Sequence, residues 1–409
     1  MKRDVLFMCQ FFYPEYVSSA LLPYQTAKGL AEAGLSVDVL CGYPKEYTDS
    51  TQKISRKQTV DNINIYRKKY VQLGRKSFVS RLINYFSFTF SMLLSLFKLR
   101  KYKVVIVYSN PPILPIIPVI AKKIFGTKIV FVSYDIYPEI AIQSQIISEN
   151  SIISKVMAAI NKSLFKNVSK VVSLSQEMKD YIVENRKIPQ DKIEIIPNWA
   201  TESFNYIKSI NNPVLKEIHS NYSVIVSYFG NMGTAQDVET LMQAMDNQEI
   251  KNSKIAFLFA GHGNKKDQLK KFALDRNIKN CFIFDYLKGD DFTEALSISD
   301  VFIVSLAPNI SGLAVPSKTY SYYQAGKPII AIMSPETDIA KEIKQYDAGY
   351  SINNKSVDDL IKILTDLQAT DGQCIKAMSD QVEKLHNDKY QRQYQIKKYV
   401  SLINALLEE

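Results

Sequence analysis

Three short segments in the second half of the chain combine residue types that handle phosphate. Gly230-Asn231-Met232-Gly233-Thr234-Ala235-Gln236-Asp237 follows the apolar run 223–229 (SVIVSYF) and precedes a helical pattern. Glycines at a strand-to-helix turn let backbone amides approach a ligand, and a helix N-terminus favours a phosphate or sugar oxygen. Gly261-His262-Gly263 holds the equivalent place after the next apolar run. Many tight turns contain two glycines, so two such turns facing one cleft weigh more than either alone. The third segment is Pro316-Ser317-Lys318, opening the helical stretch before Ala325-Gly326-Lys327-Pro328. A cation in the first turn of a helix opposes the dipole unless an anion compensates. Lys318 therefore points to a bound diphosphate; the plainer alternative is a solvated surface lysine.

Other chemistries lack their residues. His219, His262 and His386 are isolated from one another, and Cys9, Cys41, Cys281 and Cys374 form no C-x-x-C pair. Zinc ligation, a Ser-His-Asp arrangement and a disulfide framework are not expected, and a reducing cytoplasm fits. Cys9 and Cys41 read as small core residues at strand ends. The apolar run Val5–Cys9 stops at Gln10, too short for a secretory signal.

The elements that position these segments follow from hydrophobic pattern. Val5–Cys9, a helical stretch from about 20 to 33 ended by Gly34, and Ser36–Cys41 read as strand, helix, strand. Buried-strand runs recur at 103–107, 128–132, 169–172 and 192–196. After a polar, irregular linker at 200–222 they resume at 223–229, 254–259, 280–284, 300–304 and 328–332. Helices fit between them, and a single long helical stretch closes the chain from about 374 to 406. Continuous Val/Ile runs alternating with helices predict parallel sheets covered on both faces. We therefore expect two doubly wound α/β domains: residues 1–200 with a final helix at about 385–409 packing back on them, and residues 201–384. Ligands of such sheets bind beyond the carboxyl ends of the strands, so the cleft between the domains is the expected site.

Composition adds an asymmetry. With 409 residues, 46% of them hydrophobic and 22% charged, the chain is an ordinary globular protein rather than a disordered or collagen-like one. The formal net charge is +10, but residues 1–200 carry 28 Lys/Arg against 15 Asp/Glu and residues 201–409 carry 23 against 26. The window 51–103 holds 13 basic residues and one acidic residue, Asp61. A polyanionic partner is thus expected for the first half only. Inside that window, Leu82–Phe97 is a 16-residue uncharged stretch, short of the ~20 apolar residues a membrane-spanning helix needs. Arg75, Lys76 and Arg81 precede or open it, Lys98 and Arg100 follow it, and Phe86 and Phe90 lie within it. An aromatic amphipathic helix with basic ends suits a membrane interface, the alternative being an ordinary sheet-covering helix with a solvated rim.

The ordered set of motifs carries a resemblance over nearly the whole chain. The Gly230–Asp237 turn, Pro316-Ser317-Lys318, Ala325-Gly326-Lys327-Pro328, Ile196-Pro197-Asn198-Trp199, Asp135-Ile136-Tyr137-Pro138-Glu139 and Phe12-Tyr13-Pro14-Glu15 resemble glycosyltransferase family 4. Within that family they are similar to the polysaccharide-assembly branch that includes the O-antigen and capsule aminosugar transferases. The resemblance implies a GT-B fold, with a sugar-nucleotide donor on the C-terminal domain and the acceptor on the N-terminal one. It also implies retention of anomeric configuration with no metal and no bound cofactor, a UDP-sugar being the favoured donor. Carried across residue by residue, it places Gly230, Asn231, Gly233 and Gln236 at the donor's sugar and phosphates, and Ser317 and Lys318 on the diphosphate. His262, Gly263, Tyr286 and Leu287 would line the base. Glu15, Ser18, Ser19, Tyr134, Asp135 and Glu139 would face the acceptor and the reacting sugar, with Asp135 and Lys318 as the catalytic pair. Two departures stand out. The two glutamates that many members carry before the A-x-G-x-P turn fall at Leu313 and Ser321, and no cation follows the first glycine turn. The resemblance further implies a polyprenyl-diphosphate-linked saccharide as acceptor, and the basic first half implies an anionic inner-leaflet surface as partner. Competing readings are a non-catalytic relative acting as a scaffold, and a nucleic-acid binder using the 51–103 cluster.

Overall fold

The computed structural model describes residues 2–45, 54–74, 77–202, 204–207, 209–285, 287–369 and 373–409, which form two compact units. Unit 1 comprises Met1–Thr201, Gly312–Val315 and Arg392–Glu409; unit 2 comprises Glu202–Ser311 and Pro316–Gln391. The last helix belongs to unit 1 and begins at Arg392, seven residues later than about 385.

Unit 1 is built on an eight-stranded sheet: β1 (Arg3–Cys9), β2 (Val37–Gly42), β3 (Lys57–Val60), β4 (Ile63–Lys68), β5 (Tyr102–Tyr108), β6 (Lys128–Ser133), β7 (Lys170–Ser173) and β8 (Ile193–Ile195). The order is β3-β4-β2-β1-β5-β6-β7-β8, parallel except where β3 pairs antiparallel with β4. Successive side chains in a strand point to opposite faces. Accordingly Val5, Phe7 and Cys9 enter one core, while Leu6 and Met8 enter the other. Helices α1 (Ser18–Glu32), α2 (Phe78–Leu93), α3 (Ile116–Phe125), α4 (Glu139–Gln143), α5 (Ile152–Asn167) and α6 (Gln176–Arg186) connect the strands, with a 3-10 turn at Leu96–Lys101. The Leu6 face is covered by α2, the 3-10 turn, α3, α5 and α6. The Phe7 face is covered by α1 and the chain's last helix, through Tyr399, Leu402, Ile403 and Leu406. Gly29 permits that packing: a Cβ there would lie 2.3 Å from Ile396.

The sequence reading passed over β3 and β4. Both lie in the basic window, and β4 alternates buried with half-buried residues instead of forming a continuous apolar run. Arg67, counted there as part of a surface charge, is only 2% exposed and donates to the carbonyls of Tyr13 and Ser55.

Helix α2 has three faces. Phe88 and Met92 enter the core. Asn84, Ser87 and Ser91 hold the chain after β4: Asn84 exchanges hydrogen bonds with both backbone groups of Leu73 at 2.8 and 2.9 Å, and Ser91 donates to Lys69 O at 2.8 Å. Val79, Ile83, Phe86 and Phe90, at helical spacing, are 63%, 40%, 52% and 65% exposed. The polar residues Asn84, Ser87 and Ser91 thus face protein, and the outward stripe is apolar. Arg81 is half-buried, Lys98 and Arg100 are exposed, and Arg75 and Lys76 lie outside the described residues. Among the described residues no helix is long and apolar enough to cross a membrane.

Unit 2 carries β9 (Val224–Asn231), β10 (Ile255–His262), β11 (Cys281–Phe284), β12 (Val301–Ser305), β13 (Ile329–Ile332) and β14 (Gly349–Ile352), all parallel, in the order β11-β10-β9-β12-β13-β14. Its helices are α7 (Pro213–Asn221), α8 (Glu239–Met245), α9 (Gln248–Lys251), α10 (Lys266–Asp275), α11 (Gly289–Ile298), α12 (Thr319–Gln324), α13 (Asp338–Tyr346), α14 (Val357–Ala369) and α15 (Gln373–Leu385). The expected single closing helix is broken. A π-helical turn, His386–Tyr390, and an extended Gln391 separate α15 from α16 (Arg392–Glu408). Tyr390 explains the break: its ring stacks on Tyr323, packs on Tyr320, and its hydroxyl donates to Glu342.

Candidate functional site

In unit 2 the paired ends of β9 and β10 make a surface that only glycine allows. Gly230 aligns with Gly261, and Asn231 with His262. Gly230, Gly261 and Gly263 have φ of +121°, +141° and +133°. A Cβ at Gly261 would sit 2.0 Å from Gly230 O, and one at Gly263 would sit 2.2 Å from Met232 O. Side chains are thus excluded by both sterics and backbone conformation. Gln236 accepts from Gly233 N at 3.0 Å, closing the turn on itself, while Asn231 is exposed. Asp237 caps the following turn through Thr240 and accepts from Asn354, a structural role.

Lys318 lies over the first glycine. A Cβ on Gly230 would be 1.6 Å from Lys318 Cε and 2.1 Å from its Nζ. The helix begins at Thr319, so Lys318 is its N-cap rather than a first-turn residue. Tyr322, one turn further on, fixes the position: its hydroxyl accepts from Phe229 N at 2.9 Å and donates to Phe229 O at 3.1 Å. Its ring stacks on Phe302 at 4.0 Å. The Lys318 ammonium lies 5.2 Å from the Tyr228 ring centroid and has no carboxylate partner among the described residues. Burial pushes its pKa down to about 7. The cation missing from the glycine turn in sequence is therefore supplied to it in space, and Ser317 stands exposed beside it.

His262 is held below its ordinary pKa by burial and by the nearby cations Lys318 and Lys266, which favours the neutral imidazole. Lys266, 8% exposed, donates to Gly261 O at 3.0 Å and pairs with Asp285, whose carboxyl it holds below its usual range. Leu287 is half-buried, and Tyr286 lies outside the described residues.

In unit 1 the acceptor-side candidates follow the ends of β1 and β6, which flank β5. Ser109, just past β5, accepts from the amides of both Tyr134 and Asp135 at 3.1 Å. Asp135 also bridges to Ala314, and Ile136 N donates to Leu313 O at 2.9 Å. The Asp135 carboxylate has no cation or donor among the described residues, and burial raises its pKa to about 6. Glu139 differs: Arg186 grips it at 2.6 Å and also donates to Tyr137 O at 3.2 Å. Its carboxylate is committed to holding the Tyr137–Glu139 turn. Glu15 is 3% exposed and accepts from Phe12 N, while Ser18 and Ser19 open α1.

The sequence reading missed Ser109, Arg186, Lys266 and Tyr322. Tyr322 was available from its spacing, four residues after Lys318 on one helix face; the others are set by tertiary contacts. Leu313, where many relatives are expected to carry a glutamate, is a core residue of unit 1.

Comparison with known proteins fits this geometry. Residues 23–202 match the family model Glycosyltransferase Family 4, and residues 216–398 match Glycosyl transferases group 1. WbjE of Pseudomonas aeruginosa, named as a probable glycosyltransferase, is 24% identical over 324 residues, 79% of each chain. WcaI of Escherichia coli K12, named for colanic acid biosynthesis, is 21% identical over 51% of this chain and 52% of its own. The Anabaena protein HepE, solved with UDP and glucose, has a TM-score of 0.71 over 98% of this chain and 99% of its own, at 12% identity, a likeness of fold. Two parallel-sheet units, a final helix returning to the first, and a family model matched in each half lead to one conclusion: the chain belongs to the family 4 glycosyltransferases of GT-B fold.

Proposed function

We propose that the protein transfers a hexose or N-acetylaminosugar from a nucleotide-diphosphate donor, UDP-linked by preference, to a polyprenyl-diphosphate-linked saccharide. The transfer retains anomeric configuration, needs no metal ion, and takes place at the cytoplasmic face of the plasma membrane during assembly of a capsule or O-antigen-type polysaccharide. The observation that carries the donor half is Lys318, an ammonium with no anionic partner among the described residues, held over the bare backbone of Gly230. HepE, of the same fold, binds UDP and glucose, and WcaI is named for a polysaccharide pathway; both support the reading.

In this mechanism the departing diphosphate takes the acceptor hydroxyl's proton as it leaves on the same face of the sugar. The protein's part is positioning and stabilisation of the developing charge. Lys318 supplies the second, and Asp135 orients the acceptor hydroxyl or stabilises the electron-poor sugar. The acceptor half rests on unit 1, where the outward stripe of α2 joins basic residues. Burial, together with neighbouring Lys98 and Arg56, pushes the Lys68 pKa down, as expected of a cation cluster suited to anionic headgroups. The exposed aromatics favour lipid over a nucleic-acid groove.

Thermal denaturation with UDP and GDP tests the donor half. A ligand at 100 times its Kd stabilises by about 2.7 kcal/mol. We expect a raised midpoint with UDP, reduced in Lys318→Met; no shift with either nucleotide removes the donor assignment. A scaffold reading is favoured by the absence of carboxylates at Leu313 and Ser321. Slow hydrolysis of the donor sugar by the wild-type chain would exclude it.

A further inference from the structure

We infer that the segment 144–156, which runs from the end of α4 into the start of α5, is a second membrane-insertion point separate from α2, and that its occupant is an anionic bilayer surface. The inference rests on the membrane-facing reading of unit 1 and extends it to residues outside the basic window. Ile146, Ile152 and Val156 are 40%, 80% and 39% exposed. Ile152 is the first residue of α5, directly after Ser151, whose hydroxyl caps the helix by accepting from Ser154 N at 3.1 Å. Its exposure is therefore built into an ordered helix start. On the inner side, Ala141, Ile147 and Met157 form a small core against which both Ile153 and Phe78, the first residue of α2, pack. The two apolar outward segments share this core.

Their charge fits one partner. Helices α2, α3 and α5 and the 3-10 turn together contain nine Lys/Arg and no Asp/Glu. On α5 the basic residues Lys155, Lys162 and Lys166 are all exposed. Glu149 is the one acidic residue of 144–156. Thirteen of the seventeen large apolar side chains exposed among the described residues fall between Val71 and Val156. A surface combining apolar side chains with a strongly basic layer, Glu149 its one acid within 144–156, matches the acyl–headgroup boundary of an anionic leaflet. It also puts a bilayer contact one short helix, α4, from Asp135 and Glu139, where a lipid-linked acceptor is to be received.

The test uses the full chain with Cys281 and Cys374 replaced by serine, and one cysteine at position 152, 90 or 274 carrying a polarity-sensitive fluorophore. Leu274 of unit 2 is 81% exposed and serves as the control matched to Ile152. With phosphatidylglycerol vesicles we expect a blue shift at 152 and 90, none at 274, and none with phosphatidylcholine vesicles. In parallel, Ile146→Asp with Ile152→Asp lowers binding to the anionic vesicles about tenfold with an unchanged melting temperature. A shift at 90 but not at 152 overturns the second insertion point and leaves the membrane reading standing. No shift at either position overturns both. A concentration-dependent shift at 152 without vesicles identifies a second copy of the chain as the occupant and overturns the lipid assignment.

Discussion

In unit 1 most of the large apolar side chains left exposed lie on one side of the sheet; in unit 2 the conspicuous group is a single ammonium with no carboxylate partner among the described residues. The covering of the sheet in unit 1 is uneven. On the side of α1 and α16, Tyr394 is the one large apolar side chain exposed on either helix among the described residues. On the other side, α2 alone exposes Val79, Ile83, Phe86, Phe90 and Leu93. The same sheet thus has one sealed covering and one that is apolar outside as well as inside, so the exposure is not a defect of packing. In unit 2 the cost is electrostatic: Lys318 is partly withdrawn from water over Gly230, with no carboxylate beside it among the described residues. Both features are unfavourable for the chain alone, and in the proposed function a partner relieves each, lipid in one case and diphosphate in the other.

The contrast can be broken at either end. The largest effect is expected from Lys318→Ala. Losing one positioned charge contact at a transition state costs about 10²–10³ in turnover. Steady-state rates with a short-chain, water-soluble acceptor should fall by that factor while the circular dichroism spectrum is unchanged. Next is Phe86→Asp with Phe90→Asp. Burial of a phenylalanine contributes about 1.5–3 kcal/mol, so vesicle affinity should drop at least tenfold in a sedimentation assay. Turnover of the short-chain acceptor should stay within twofold, which separates anchoring from chemistry.

Tyr322→Phe sharpens the unit 2 side. It strands the Phe229 amide and carbonyl in a buried site, a loss of about 1–3 kcal/mol in urea unfolding. It also loosens the helix that carries Lys318, so KM for the donor should rise more than kcat falls. The smallest effect concerns Lys318 and pH. Its folded pKa, about 7, lies below its ordinary 10.5. Between those values the unfolded chain holds a proton that the folded chain has lost, so stability rises with pH through that window. Below about 7 the penalty is fully present. Lys318→Met should therefore melt higher than wild type at pH 7 without ligand, with the gap closing toward pH 10.

Much of the fold was legible because a strand buried on both faces must be a continuous apolar run. β5, β6, β9, β10 and β12 are of that kind. β4 carries Asn64, Arg67 and Lys68, and β14 is the four-residue edge strand GYSI, so neither had a run to find. The break at His386–Tyr390 contains no glycine or proline; its cause is the Tyr390 ring against Tyr320 and Tyr323, a tertiary contact. At the site, the glycine turns and Lys318 were legible because sterics restrict those positions to few residue types. Ser109, Arg186 and Lys266 were not, since ordinary residues gain their roles only from what the fold brings beside them.

The most direct test of the account is mass analysis of lipid products after incubating the protein with a panel of nucleotide sugars and vesicles holding a polyprenyl-diphosphate-linked saccharide. The expected result is a product one sugar heavier with the wild-type chain, lost in Lys318→Ala, and much reduced in the Phe86→Asp, Phe90→Asp variant on vesicles only. Product formed equally well by Lys318→Ala, or no product with any donor, would contradict it.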